Sequence, residues 1–292
     1  MLQKSIDIIV MLVGLVLLLT EDLIDQPRIQ LLVSSLGISL LTAGIVSLIL
    51  HNFKVKPRPV AGMRILATSR NELKQAFKNQ KYTAKKIDLL GITLGEALNE
   101  MVSDSTNRML KRVMFERVRL RMILIHPKAP FLVQRAQDDG IEHDALLDNQ
   151  RESVRNALKI YTRLLKLYKD GSKRDLRNIG EEFVIKLVDV CPYFTIDRID
   201  DTIRWGLYTS ASAGLQSPMF GVTDNLLFPE HHAIFDRIKQ HWYNLLNGRL
   251  LYCEGTGELV RYIPGTVPYL NRDLADSILT KAEVDQILSK TW

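Results

Sequence analysis

Two uncharged apolar runs open the chain, and mixed patterning follows. Ile8–Thr20 reads IIVMLVGLVLLLT and Ile29–Leu50 reads IQLLVSSLGISLLTAGIVSLIL, neither holding an acidic or basic residue. A helix rises about 1.5 Å per residue, so about 20 residues cross a hydrocarbon core of about 30 Å. The second run is long enough, and the first reaches across if Ser5, Ile6 and Asp7 lie among the head groups. A cleaved signal peptide fits the first run by its length and its preceding Lys4. Against that, Glu21-Asp22-Leu23 follows where a small-x-small cleavage site belongs, and a second apolar run comes within ten residues. The pattern predicts a transmembrane hairpin over residues 1–53.

Flanking charge orients the hairpin. The connecting segment Glu21–Arg28 is net −2, whereas Lys54, Lys56, Arg58, Arg64 and Arg70 follow the second run without an acid among them. Positive charge resists translocation, so the large C-terminal part is expected in the cytoplasm, behind a multi-pass anchor in a cell inner membrane. The second run also carries Ser35, Ser39, Ala43 and Ser47 at four-residue steps on one helical face. Small residues let helix backbones approach, and hydroxyls bond across the contact. That stripe serves packing against the first span or self-association between chains, so a homo-oligomer and the lipid bilayer are the expected partners.

Lys54–Pro59 (KVKPRP) ends the second helix with two prolines. Met63–Tyr82 then reads as a helix with Leu66, Leu73 and Phe77 on a partial apolar stripe. Residues 54–85 form a basic juxtamembrane segment: ten Lys/Arg lie between Lys54 and Lys86, against Glu72 alone. Each basic residue near an anionic leaflet gains about 1 kcal/mol, and position beside a span favours lipid over nucleic acid. No direct reading of DNA is expected.

From residue 86 strand-like and helical periods alternate. Strands are expected at Lys86–Leu94, Val118–Ile125, Glu182–Val190, Thr202–Tyr208 and Met219–Val222. Helices are expected at Glu96–Phe115, Leu146–Tyr168 and Phe228–Leu246. A hairpin, Leu250–Glu254 with Leu259–Ile263 around Gly255-Thr256-Gly257, and a helix over Leu270–Ser289 complete the tail. The alternation predicts a mixed α/β domain over 86–248, followed by a small hairpin and helix over 249–292. Of 292 residues, 46% are hydrophobic and 25% charged, which excludes collagenous, coiled-coil and wholly disordered chains. The net charge of +6 divides as −2 over residues 1–50 and +8 beyond. Cys191 and Cys253 are the two cysteines, too few for a disulfide scaffold or a multi-cysteine zinc site and consistent with a reducing compartment.

The stretches KIDLLGITL, VRLRMILIHPKAPFLVQRAQDDG and VIKLVDVCPYFTIDRIDDTIRWGLY, then SPMFGV and IFDRIKQHW, resemble half of a phospholipase-D-like fold. They are most similar to the phospholipase-D-like domain of unknown activity found in some bacterial helix-turn-helix regulators. The likeness covers about residues 86–243. Active members of that superfamily carry His-x-Lys-x4-Asp, usually twice; the histidine attacks phosphorus and the lysine neutralises the phosphoryl oxygens. Aligned on Asp200, this chain has Tyr193 and Thr195 where the histidine and lysine belong. His126-Pro127-Lys128 supplies a His-x-Lys elsewhere, with Val133 at the aspartate position. The resemblance therefore implies a catalytically incomplete domain.

Such a domain can still bind an anion. Thr93 precedes a helix N-terminus, Arg135 follows the second strand, and Tyr193, Arg198 and Asp200 mark the third matching stretch. Three of these have a structural alternative: an ion pair of Arg135 with Asp138 or Asp139, turn chemistry for Asp200 together with Asp201, strand-end packing for Tyr193. His231, His232 and His241, with Asp236, read as surface histidines rather than a metal site, and no nucleotide loop or nucleophile elbow is present. No cofactor or metal is expected. The combined expectation is a membrane-anchored cytosolic sensor or effector triggered by a nucleotide or protein. Short two-span bacterial proteins of this build resemble membrane-disturbing effectors of anti-phage defence. The alternatives are a membrane-tethered phosphodiesterase or nuclease, and a subunit that only docks a partner.

The stripe on the second run is testable. Ser39→Ile combined with Ala43→Ile places branched bulk on it and is expected to weaken oligomers of the full chain in detergent crosslinking. Unchanged crosslinking would show that this face makes no inter-chain contact.

Overall fold

The computed structural model describes residues 12, 13, 15–17, 19, 20, 30, 33, 37 and 38, then 64–67, 79–116, 118–171, 182–192, 194–208, 218–224, 229–247 and 256–290. The chain divides into two units, Met1–Val60 and Ala61–Trp292. In the first, the described residues are helical, and Leu12, Val13, Leu15, Val16, Leu19 and Ile38 are exposed. The Thr20 hydroxyl donates back to the carbonyls of Val16 (2.9 Å) and Leu17 (3.2 Å), so this polar group is satisfied within its own helix. Most of the second predicted span, including Ser35, Ser39, Ala43 and Ser47, and six of the thirteen residues of Ile8–Thr20 fall outside the described residues. Among the described residues no helix is long and apolar enough to cross a membrane.

The second unit is a mixed α/β layer structure. Its strands are β1 (Arg64–Ala67), β2 (Lys86–Gly91), β3 (Arg119–Ile125), β4 (Phe183–Val188), β5 (Phe194–Ile199), β6 (Thr202–Leu207), β7 (Met219–Thr223), β8 (Gly257–Tyr262) and β9 (Tyr269–Leu270). Its helices are α1 (Gly95–Ser103), α2 (Arg108–Phe115), α3 (Leu132–Asp139), α4 (His143–Asp170), α5 (Pro229–Asn247), α6 (Arg272–Asp276) and α7 (Lys281–Ser289). One sheet runs in the order β1-β7-β6-β5-β2-β3-β4-β8-β9. The β2, β3 and β4 strands are parallel neighbours, and the other pairings are antiparallel.

Parallel strands need long crossovers and are covered on both faces, which is why β2, β3 and β4 read as nearly continuous apolar runs. Ile87, Leu89, Leu120, Met122, Phe183 and Ile185 face a core closed by α1, α2, α4, α6 and α7. Alternate residues, among them Leu90, Ile123, Val184, Ile196 and Ile203, face a second core under α3 and α5.

Several elements depart from the periodic reading. Arg64–Ala67, expected within a helix, is an edge strand with Arg64 opposite Gly221 and Ile65 opposite Phe220. Three apolar residues on a weak stripe constrain the chain less than the open edge of β7, whose backbone groups take partners here. The helix expected over Glu96–Phe115 is two, α1 and α2. Asp104 separates them because its carboxylate accepts the Thr106 N–H (2.9 Å) and the Arg108 N–H (2.7 Å), while Asn107 turns at φ 52°. The strand β5 was not anticipated, since Asp197 and Arg198 give FTIDRI a polar centre. The tail is built onto the same sheet: β8 pairs with β4 on one edge and β9 on the other, and Leu250–Glu254, expected as its hairpin partner, lies outside the described residues. The last helix is likewise two, with α7 begun by a capping box in which Thr280 accepts the Glu283 N–H and Glu283 accepts the Thr280 N–H. Arg155 first, then those cap bonds, lower the Glu283 carboxyl to about 2.

Candidate functional site

In open α/β sheets ligands bind outside the carboxyl ends of the parallel strands. Thr93, His126 and Arg135 lie toward that end. The Thr93 hydroxyl oxygen accepts the Gly95 N–H at 3.4 Å as α1 begins. On α3, Arg135 donates from Nε to Asp139 (2.9 Å), the partner four residues on, and its guanidinium lies 5.0 Å from the Tyr208 ring centroid. The Tyr208 hydroxyl accepts the Ile92 N–H at 3.2 Å, which ties the end of β6 to β2.

His126 closes β3 and is fully buried. Its backbone N–H donates to Val188 at 2.7 Å, and its Nδ1 accepts the Lys128 N–H at 3.0 Å. That bond assigns the proton of the neutral ring to Nε2. Burial first, and then the charge of Lys128, hold the ring below its ordinary pKa, with Asp189 opposing. The lone pair that would attack phosphorus is thus the one already engaged by the Lys128 N–H. Val133, at the aspartate position, is exposed on α3.

Arg198 and Asp200 lie at the opposite end of the sheet. Asp200 sits in the β5–β6 turn at φ 49°, and one carboxylate oxygen accepts the N–H groups of Lys85 (2.9 Å) and Lys86 (2.8 Å). Arg198 donates from Nε to the Asp200 carbonyl at 3.0 Å. The six residues of β2, about 20 Å of strand, separate this end from Thr93. The five residues expected to form one anion site therefore do not converge: Thr93 and Arg135 are at one end, Arg198 and Asp200 at the other, and Tyr193 lies outside the described residues.

Arg198 belongs instead to a buried ion cluster between the sheet and α5. At its centre is Asp88, fully buried on β2. Arg121 meets it with two bonds, 2.8 and 3.1 Å; Arg198 adds one at 3.0 Å; Arg119 lies at 3.6 Å. Burial opposes the charge of Arg121, and Asp88 more than restores it. The Arg121 guanidinium lies 4.4 Å from the Trp242 ring centroid and donates to the Tyr243 hydroxyl at 3.3 Å. Burial raises the Tyr243 phenol, but Arg121, Arg119 and Arg198 together leave it below its ordinary pKa. Among the described residues Asp88 is thus shared by two bonded guanidiniums, with a third nearby. The signal was present as charged residues two apart within apolar strands. Their convergence, however, requires strand register.

The histidines of α5 are dispersed. His232 pairs with Asp224 at 2.8 Å, and the His241 ring packs 4.9 Å from Phe194. Among the described residues no three His, Cys, Asp or Glu side chains group as metal ligands.

No family model and no curated protein matches the chain. Among solved structures it is similar to TrmBL2, an archaeal chromatin protein whose structure shows a novel mode of DNA binding. The identity is 12%, the match covers 74% of this chain and 64% of that one, and the TM-score is 0.31, too distant to bear on fold or partners.

The ion cluster gives a direct test. Asp88→Asn keeps the shape but takes their shared charge from the buried guanidiniums of Arg121 and Arg198, and is expected to cost about 3–5 kcal/mol of unfolding free energy. Urea titration of the full chain in mild detergent, read by tryptophan fluorescence, measures it. A loss below about 1 kcal/mol, the level of an exposed pair, would contradict the buried-hub assignment.

Proposed function

We propose that the chain is a membrane-anchored sensor or effector, bacterial and resident in the inner membrane. Its cytoplasmic domain, read as phospholipase-D-like and catalytically incomplete, recognises an anionic ligand or partner. The N-terminal spans localise or execute the response. The observation that carries this reading is that the residues nearest to the missing catalytic motif are engaged in the fold. Asp200 is bonded to two backbone N–H groups, and His126 is fully buried with Nδ1 bonded to Lys128.

The membrane half is supported by the uncharged runs, the cationic flank of the second run, and the exposed apolar side chains on the described helical residues of unit one. A nucleotide or protein trigger and a homo-oligomer fit this arrangement, and the link to anti-phage defence is an analogy of architecture. The rival phosphodiesterase or nuclease reading draws on one observation: the His126-x-Lys128 pair stands at the carboxyl end of the central parallel strand.

High-level expression in bacteria tests the proposal. The intact chain is expected to slow growth and lower membrane potential, whereas a chain lacking residues 8–50 leaves both unchanged. Equal growth and potential in the two strains would overturn the membrane-effector reading.

A further inference from the structure

A cationic groove lies where the segment entering β2 meets α2. It has a volume of about 360 Å³ and is lined by Tyr82, Thr106, Arg108, Lys111, Arg112 and Glu116. That volume is at the lower end of the range for small-molecule sites.

Local chemistry builds the groove. On α2, Met109, Leu110, Val113 and Met114 enter the core, while Arg108 and Lys111 remain exposed. Arg112 turns inward and donates to the carbonyls of Lys81 (2.9 Å) and Ala84 (2.6 Å) and to Glu116 (2.8 Å), fastening the entering segment to the helix. Tyr82 donates its hydroxyl to Glu100 at 2.7 Å; burial, then that carboxylate, push its pKa to about 12, so the ring stays neutral. The Arg108 guanidinium lies 4.6 Å from the centroid of the Tyr82 ring.

The acids around the groove are already engaged. Glu100 holds Lys81 and Tyr82, Glu116 holds Arg112, and Asp104 holds Thr106 and the Arg108 N–H. Burial raises the Asp104 carboxyl, but the bonds from Thr106 and Arg108 leave it below its ordinary value. Among the described residues neither the Arg108 guanidinium nor the Lys111 ammonium has an acidic partner. The two are three residues apart on one helix face, and Arg112 is four from Arg108. Like charges at these spacings are destabilising. They also sit in the N-terminal half of α2, whose first turn holds no acid and where the helix dipole disfavours cations. An anion in the groove relieves both penalties.

We infer that this groove is a phosphate site, in which Arg108 and Lys111 bind the phosphomonoester of a nucleotide or of a lipid head group beside Tyr82. The inference deepens the anionic-ligand half of the proposed function and rests on it. It also moves the ligand away from Thr93, Arg135, Arg198 and Asp200.

The test is calorimetric titration of the full chain in neutral detergent with AMP and, separately, with short-chain phosphatidic acid. Adenosine and short-chain phosphatidylcholine serve as phosphomonoester-free controls. At least one phosphomonoester is expected to bind and neither control to bind. Arg108→Gln with Lys111→Gln is expected to lower affinity about 10- to 150-fold per lost charge-assisted bond, with the thermal midpoint not lowered. Arg151→Gln with Lys239→Gln removes the same charge elsewhere and is expected to bind as the unaltered chain does. Binding of AMP alone identifies a soluble ligand, and binding of phosphatidic acid alone a lipid; either supports the site. Undiminished binding by the groove variant overturns the groove and leaves the sensor reading standing. Equal losses in both variants, or no binding of either phosphomonoester, also overturn it.

Discussion

A single buried carboxylate organises the layer on which the rest of the domain depends. Asp88 on β2 is bound by Arg121 on β3 and Arg198 on β5, and Arg121 carries the connection up to Trp242 and Tyr243 on α5. A buried charge is costly unless paired and hydrogen-bonded, so the cluster specifies register as well as stability. Slipping β2 by one residue would turn Asp88 into the apolar core under α4 and lose every one of these bonds. With β5 held against β2, the β5–β6 turn brings Asp200 to the N–H groups of Lys85 and Lys86. That contact anchors the chain just after Tyr82, and Arg112 fastens the same segment from α2. The cationic groove is thus a downstream product of the strand pairing.

Legibility in the sequence followed the range of each interaction. The strands β2, β3 and β4 were readable because burial on both faces makes them apolar at most positions. Arg135–Asp139 was readable because it is a four-residue helical spacing, and the Asp200 turn because turn chemistry is local. Less could be read where distant partners decide. FTIDRI is a strand because Arg198 finds Asp88, 110 residues away in the chain, and nothing near it in sequence announces that. RILA is a strand because β7 offers an edge. The pairing of β8 with β4 draws the tail into the main sheet for the same reason. The break between α1 and α2 was local and readable in principle, since Asp104 stands two residues before Thr106 and four before Arg108, but helical periodicity masked it.

The candidate residues divide along the same line. Asp200 was selected for resemblance to a phosphoryl-transfer motif and Arg198 as an anion-binding fork beside it, and the fold uses them to hold β5 and its turn. Arg108 and Lys111 carried no motif, and only the packing of residues 81–84 against α2 makes them a site. The proposed account therefore separates recognition from hydrolysis: a cationic surface for a phosphate, and at the His-x-Lys pair a His126 whose Nδ1 is already bonded to Lys128.

That separation is tested most directly by phosphodiester hydrolysis. The full chain, purified in detergent, is assayed with a chromogenic phosphodiester and with single- and double-stranded DNA, beside a His126→Ala variant of matching unfolding curve. The account predicts no product above the buffer blank and no difference between the two proteins. Turnover by the unaltered chain that His126→Ala abolishes, with folding preserved, would contradict it.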